Sequence, residues 1–193
     1  PAVLHCVIDE IDSATGAPVG TVLDESGPGC DWLTTTVRSA GGTQTWLGTQ
    51  STSGGIRRVV DPSSTVKVDD GVGNNTYLGL QSDGTLLVAS GTALGRIGAD
   101  GYEQAFHLVD GTTITGLAVG PDDHVFMSTG HFDFTCGVDE CAATIRMFTP
   151  DLIQSSLVVT ALGQTGYTGF SSVAWDSTTE ELVFVHDGDL YRR

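Results

Sequence analysis

Apolar residues along this chain fall in short runs of strand length, broken by turn-forming residues, and the runs repeat. Four segments align: TTTVRSAGGTQTWLGT (34–49), TYLGLQSDGTLLVAS (76–90), ITGLAVGPDDHVFMST (114–129) and FSSVAWDSTTEELVFVH (170–186). In each, one apolar run leads into a turn rich in Gly, Asp or Ser and then into a second apolar run. The turns fall at Ser39 to Thr43, Ser82 to Gly84, Gly120 to Asp123 and Asp176 to Glu180. Gly and Asp accept the backbone angles that tight hairpins require, so the pattern predicts four β-hairpins.

A third strand follows each hairpin: GIRRVVDP (55–62), LGRIGADG (94–101), TIRMFTPD (144–151) and a shortened DLYRR (189–193). An arginine recurs in it, at Arg57 or Arg58, Arg96, Arg146 and Arg192. A looser fourth strand comes next in STVKVDD (64–70), EQAFHLVD (103–110) and QSSLVVTAL (154–162). The equivalent positions Trp46, Leu87, Phe126 and Val183 lie 41, 39 and 57 residues apart. Four strands about every 40 residues is the spacing of a β-propeller blade, and no helical periodicity competes with it.

The expected architecture is therefore all-β, a β-propeller of four-stranded antiparallel blades in a single domain over residues 1–193. Its repeats span approximately 32–70, 76–110, 113–162 and 170–193, and residues 2–24 supply the third and fourth strands of another or closing blade. Closing the ring from both ends would supply the third strand twice, once from LHCVIDEID and once from DLYRR. A piece of a longer propeller, of about six to eight blades, fits better than a four-bladed ring. The chain opens on Pro1, which suits a processed form or a fragment. An open partial ring would expose unpaired strand edges to other chains.

The stretch ITGLAVGPDDHVFMSTG…TIRMFTPD resembles a blade of the NHL and SMP-30/gluconolactonase-like propellers: apolar strand, Asp-Gly-type turn, apolar strand, then an arginine-bearing strand ending in Asp or Pro-Asp. VIDEIDSATGAPVGTV (7–22) resembles the outer strands of YVTN and quinoprotein-like repeats. The resemblance implies that the first strand of each blade lines a central channel. The loops leading into those strands, here Asp24 to Asp31, Asp69 to Tyr77, Asp110 to Thr115 and Gly163 to Gly169, would rim one face. The SMP-30-like lactonases hold a divalent metal with Glu, Asn and Asp projecting into that channel. The first strands here, TTTVRS, TYLGLQS, ITGLAVG and FSSVAWD, carry almost no acid before the turn, and this departure counts against a lactonase.

Charge narrows the partners. Lys plus Arg number 8 against 24 Asp plus Glu, a formal net charge of −16, and Lys67 is the single lysine. Such a surface repels phosphate backbones and anionic lipid, so no nucleic-acid partner is expected, and with no run of about 18 apolar residues no membrane insertion is expected either. Oxygen-rich loops offer Asp69, Asp70, Asn74 and Asp110 as Ca²⁺ ligands, although turns use the same residue types. Ca²⁺ is the sole cofactor these residues suggest. No G-x-S-x-G elbow, dinucleotide fingerprint or P-loop is present, and the histidines are scattered, so no catalytic residue is assigned.

The four cysteines are even in number, and three pairings are open to them. Cys136 and Cys141 are close neighbours, which leaves Cys6 and Cys30. Cys136 and Cys141 sit in HFDFTCGVDECAAT (131–144), an insertion where the second repeat has only Gly91 to Ala93. Zinc would want about four Cys or His ligands, and the spacing is C-x₄-C with no helix behind it, so a disulfide-closed acidic loop is expected. Paired cysteines point to an extracellular, cell-surface or periplasmic setting. Trp32, Tyr77, Tyr167 and Phe170 stand near the starts of first strands, where they would form an adhesive rim or pack between blades. The function that follows is a secreted or cell-surface, non-catalytic module that binds a protein or a carbohydrate or assembles with itself. The alternative is part of a propeller enzyme, a lactonase-like hydrolase, a lyase or a quinoprotein-type dehydrogenase, with its site in the channel.

Overall fold

The computed structural model describes residues 5–12, 14–26, 33–38, 44–49, 55–69, 76–98, 101–108, 112–131, 142–162 and 168–193. They form antiparallel β-strands and one short 3-10 turn, in two compact units, Pro1–Thr76 and Tyr77–Arg193.

In the first unit, β1 (His5–Ile11) and β2 (Pro18–Ser26) make a hairpin. Its turn is built by Asp12, whose Oδ1 accepts the N–H groups of Ala14 at 2.9 Å and Thr15 at 2.8 Å. Such a side chain mimics the backbone of a turn. A four-stranded meander follows, in the order β3 (Leu33–Arg38), β4 (Thr45–Thr49), β5 (Ile56–Asp61) and β6 (Ser64–Asp69). Leu23, Leu47 and Ile56 are fully buried there. The Asp24 N–H donates to the Pro62 carbonyl at 2.5 Å, tying β2 to the β5–β6 turn.

The second unit takes up the chain within β7 (Thr76–Leu80), which forms a four-stranded sheet in simple sequence order with β8 (Leu86–Ser90), β9 (Ala93–Gly98) and β10 (Gly101–His107). Next come β11 (Thr112–Val119), β12 (Val125–His131), β13 (Ala142–Phe148) and β14 (Ser155–Leu162). The chain then runs through β15 (Thr168–Asp176), β16 (Glu181–His186) and β17 (Asp189–Arg192). The middle strands are buried on both faces, which explains why β8 reads as the unbroken run LLVAS with every residue buried.

Strand alternation sets the packing. Val125 and Met127 of β12 face a core with Leu87, Leu94, Ile114 and Phe148, whereas Phe126 between them faces a core with Ile145, Phe170, Leu182 and Phe184. The β11–β14 strands are thus sandwiched between the β7–β10 sheet and the β15–β17 strands, as stacked blades require. Gly116 lets β11 come close to β15: a Cβ there would lie 2.8 Å from Ser128 Oγ and 3.0 Å from the Val173 nitrogen.

The third and fourth repeats depart from the expected separate blades. They share one seven-stranded sheet, because Gly130 and His131 at the end of β12 pair with Gly169 and Thr168 of β15. The β12–β13 backbone ladder stops at Ser128–Ile145. From there the buried Thr129 hydroxyl takes the Thr144 N–H at 2.9 Å and lies 3.2 Å from the Thr144 carbonyl. A side chain continues the link to β13, and the freed backbone edge of β12 is taken by β15.

The turns are tied across sheets as well. Ser82, in the β7–β8 turn, donates its N–H and hydroxyl to the Asp123 carboxylate of the β11–β12 turn, at 2.7 and 2.6 Å. Gln81 Nε2 reaches the Pro150 carbonyl at 2.9 Å, and Arg96 reaches the Asp151 carbonyl at 3.0 Å.

Candidate binding site

The residues singled out in the sequence divide by what surrounds them. Asp70, Asn74, Asp110, Cys30, Cys136, Cys141, Trp32 and Tyr167 lie outside the described residues. Of Asp69, which ends β6, and of Cys6, in β1, only the backbone is described. Tyr77 is half-buried against the core between β7–β10 and β11–β14. Phe170 is a correction: it is 1 % exposed, with ring centroids 5.4 Å from Phe184 and 5.1 Å from His186. It is a core residue and no part of a rim: β16 pairs beside it, and Phe126, Ala143 and Ile145 of the facing strands share its core.

Several of the acids build turns. The Asp12 carboxyl is held below its ordinary value by the Thr15 backbone N–H and then the Thr15 hydroxyl. Asp61 is lowered by the hydroxyls of Ser64 and Ser63, and Asp83 by the backbone N–H of Thr85. Asp151 is lowered by the Thr149 hydroxyl and the Ile153 N–H, and Asp176 by the Thr178 N–H and then Arg192. Each of these carboxylates accepts hydrogen bonds that favour its ionised form. The recurring arginine has matching duties: Arg57 Nε donates to Thr65, and Arg192 bridges Asp176 and Glu181, each at 3.1 Å.

The strongest candidate site lies at the other end of β15 from its predicted rim. There the β11–β12 turn meets the β15–β16 turn around an open depression of about 550 Å³, lined by Val119, Gly120, Pro121, Trp175, Ser177 and Glu180. Trp175 is partly buried and stacks on Phe126, with centroids 5.6 Å apart and planes 4° from parallel. Gly120 makes room for that stack: a Cβ would fall 2.6 Å from Phe126 Cε2 and 3.4 Å from Trp175 Cδ2. Glu180 is exposed and sits at φ 56°, a left-handed conformation unusual for a residue with a side chain.

A second groove, of about 440 Å³, runs between the outer strands β9 and β10 and the β13–β14 turn, with Phe106 and Phe148 among its walls. Those two rings meet edge to face at 5.1 Å, and Phe148 belongs to the core. That groove is a seam between sheets.

The Trp175 site was missed in the sequence because its tryptophan reads as one more apolar residue of a strand. The available signal was a tryptophan directly before the Asp-Ser-Thr-Thr turn, opposite a Gly-Pro turn in the preceding repeat. Among the described residues no group of three or more His, Cys, Asp or Glu could hold a metal ion, and no helix is long and apolar enough to cross a membrane.

No protein-family model matches the chain, and no curated protein does. Solved structures do match. Two structures of the extracellular domain of a B. thetaiotaomicron protein, described as a one-component and as a hybrid two-component system, superpose with TM-scores of 0.55 and 0.57. Identities are 10 and 11 %, over 83 % of this chain and 21 % of that domain. A provisionally assigned gluconolactonase superposes with a TM-score of 0.56 at 15 % identity, over 92 % of this chain and 64 % of that one. The chain thus spans about a fifth of the length of the first and under two thirds of the second. At these identities the likeness is one of fold, and the fold is β-propeller-like.

Proposed function

We propose that this chain is a non-catalytic contact module of an extracellular or cell-surface propeller, and that it engages a macromolecular partner through its turn-built surface. The observation that carries this reading is the open depression at Trp175. A large aromatic ring is stacked on Phe126 and left partly exposed, in a depression that a carboxylate and a hydroxyl also line. Rigid aromatics of this kind supply contact area at low entropic cost and dominate interface energetics. The extracellular setting is supported by the neighbour that is itself an extracellular domain, and by the even number of cysteines.

The test is an array of short peptides and oligosaccharides probed with wild type and Trp175→Ala, alongside light scattering over a range of protein concentrations. Ligands lost in the variant support the reading, as does self-association that the variant abolishes. The enzyme alternative draws on the fold shared with the provisionally assigned gluconolactonase. Wild-type turnover of lactones with added Ca²⁺ or another divalent ion, unaffected by Trp175→Ala, would replace contact with catalysis.

A further inference from the structure

The chemistry of the depression narrows its ligand. Its lining is mainly apolar, and among the described residues Ser177 and Glu180 are the polar side chains that line it beside the Trp175 indole. A neutral sugar carries hydroxyls around its ring, and two polar side chains would leave most of them without partners. Among the described residues the uncommitted charges beside the depression are negative. Asp122, next to Pro121, is exposed, and the nearby cation Arg192 is already committed to Asp176 and Glu181 at 3.1 Å each. Glu180 takes no part in that bridge. The chain as a whole carries −16, so a cation is drawn toward this surface and an anion is turned away.

We propose, on the footing that the Trp175 depression is a binding site, that its ligand is a basic side chain of a partner protein. The aliphatic stem would lie on Val119, Pro121 and Trp175, and the head would sit at the indole and Glu180. An arginine fits best, because a planar guanidinium stacks on an aromatic ring and is more weakly hydrated than an ammonium. Long basic side chains bury their methylenes while keeping the charge near water, which suits a shallow, open site.

The experiment titrates the purified chain with a tetra-arginine peptide, a tetra-lysine peptide and a neutral four-glucose oligosaccharide. Calorimetry gives the affinity, and the Trp175 indole N–H resonance, assigned through Trp175→Phe, reports the location. The arginine peptide should move that resonance and bind more tightly than the lysine peptide. Trp175→Ala should weaken binding about 3- to 30-fold, and Glu180→Gln about 2- to 5-fold. Glu103→Gln, which removes the same charge from β10 in the same unit, should change it by less than about 1.5-fold. Thermal melting of each variant shows that it is folded, and Glu180→Gln, at an exposed turn, keeps the test valid if Trp175→Ala does not fold.

Equal losses from Glu180→Gln and Glu103→Gln would mean diffuse attraction to an acidic surface and would overturn the proposal. The oligosaccharide moving the Trp175 resonance while the peptides do not would overturn the ligand class and leave the binding site standing. No probe moving that resonance would remove the site along with its ligand.

Discussion

The tie between Ser82 and Asp123 joins the first turns of two neighbouring sheets, and its worth follows from its parts. The Asp123 carboxylate accepts two hydrogen bonds, from the Ser82 N–H at 2.7 Å and the Ser82 hydroxyl at 2.6 Å. Bonds to a charged acceptor contribute about 1.5–3 kcal/mol when shielded, and exposure brings each nearer 1 kcal/mol. Asp123 also sits at φ 59°, where alanine is disfavoured by about 1 kcal/mol and glycine is at ease. Asp123→Ala therefore loses both bonds and adds strain, costing about 3 kcal/mol, whereas Asp123→Gly recovers the strain and costs about 2 kcal/mol. Ser82→Ala removes only the hydroxyl and costs about 1 kcal/mol. In the double variant Ser82→Ala/Asp123→Ala one bond is counted once, so the coupling energy is about 1 kcal/mol. Urea unfolding at neutral pH, followed by tryptophan fluorescence, gives the free energies of wild type and the four variants. Additive effects would refute the shared bond, and glycine proving as damaging as alanine at 123 would refute the strain.

Other consequences are simpler to test. Gly116→Ala places a methyl 3.0 Å from the Val173 nitrogen. Backbone cannot step aside as a side chain would, so a loss of about 1–3 kcal/mol is expected. Gly20→Ala, with nothing within 4 Å, should be neutral in the same urea unfolding. Met127→Ala empties a fully buried position and should cost about 2–5 kcal/mol, against less than about 0.5 kcal/mol for Ile153→Ala, which is 79 % exposed. Asp83 and Asp151 have folded pKa values below the ordinary 3.8. They therefore contribute stability above that pH, and it is lost as pH falls through their depressed values. The acid limb of the melting curve should be shallower in Asp83→Asn/Asp151→Asn than in wild type, and identical limbs would rule those turns out as its source.

How far the fold could be read from the sequence depends on how local its causes are. The hairpins were legible because a period of two residues and a turn are properties of adjacent residues: PDD at 121–123 and DST at 176–178 state their own conformation. The junction of β12 with β15 was not, since Gly130 and Gly169 carry no side-chain pattern to announce their pairing. Which of its two expected roles Phe170 takes, rim or packing, was not legible for a related reason. An aromatic near the start of a strand looks the same in a rim as in a core, and what covers it is decided by another strand. The acids follow the same division. Asp12, Asp61, Asp83 and Asp176 are each followed within three residues by the Ser or Thr they bind, so their turn-building role was readable from spacing alone. Part of the acidity thus belongs to folding rather than to recognition. In a chain with 24 acids, the informative carboxylate is the one that departs from this spacing. Glu180 has no such partner in its turn, holds a left-handed backbone at φ 56°, and stands beside a partly exposed tryptophan. It is there, rather than in the density of negative charge, that a specific contact is to be sought.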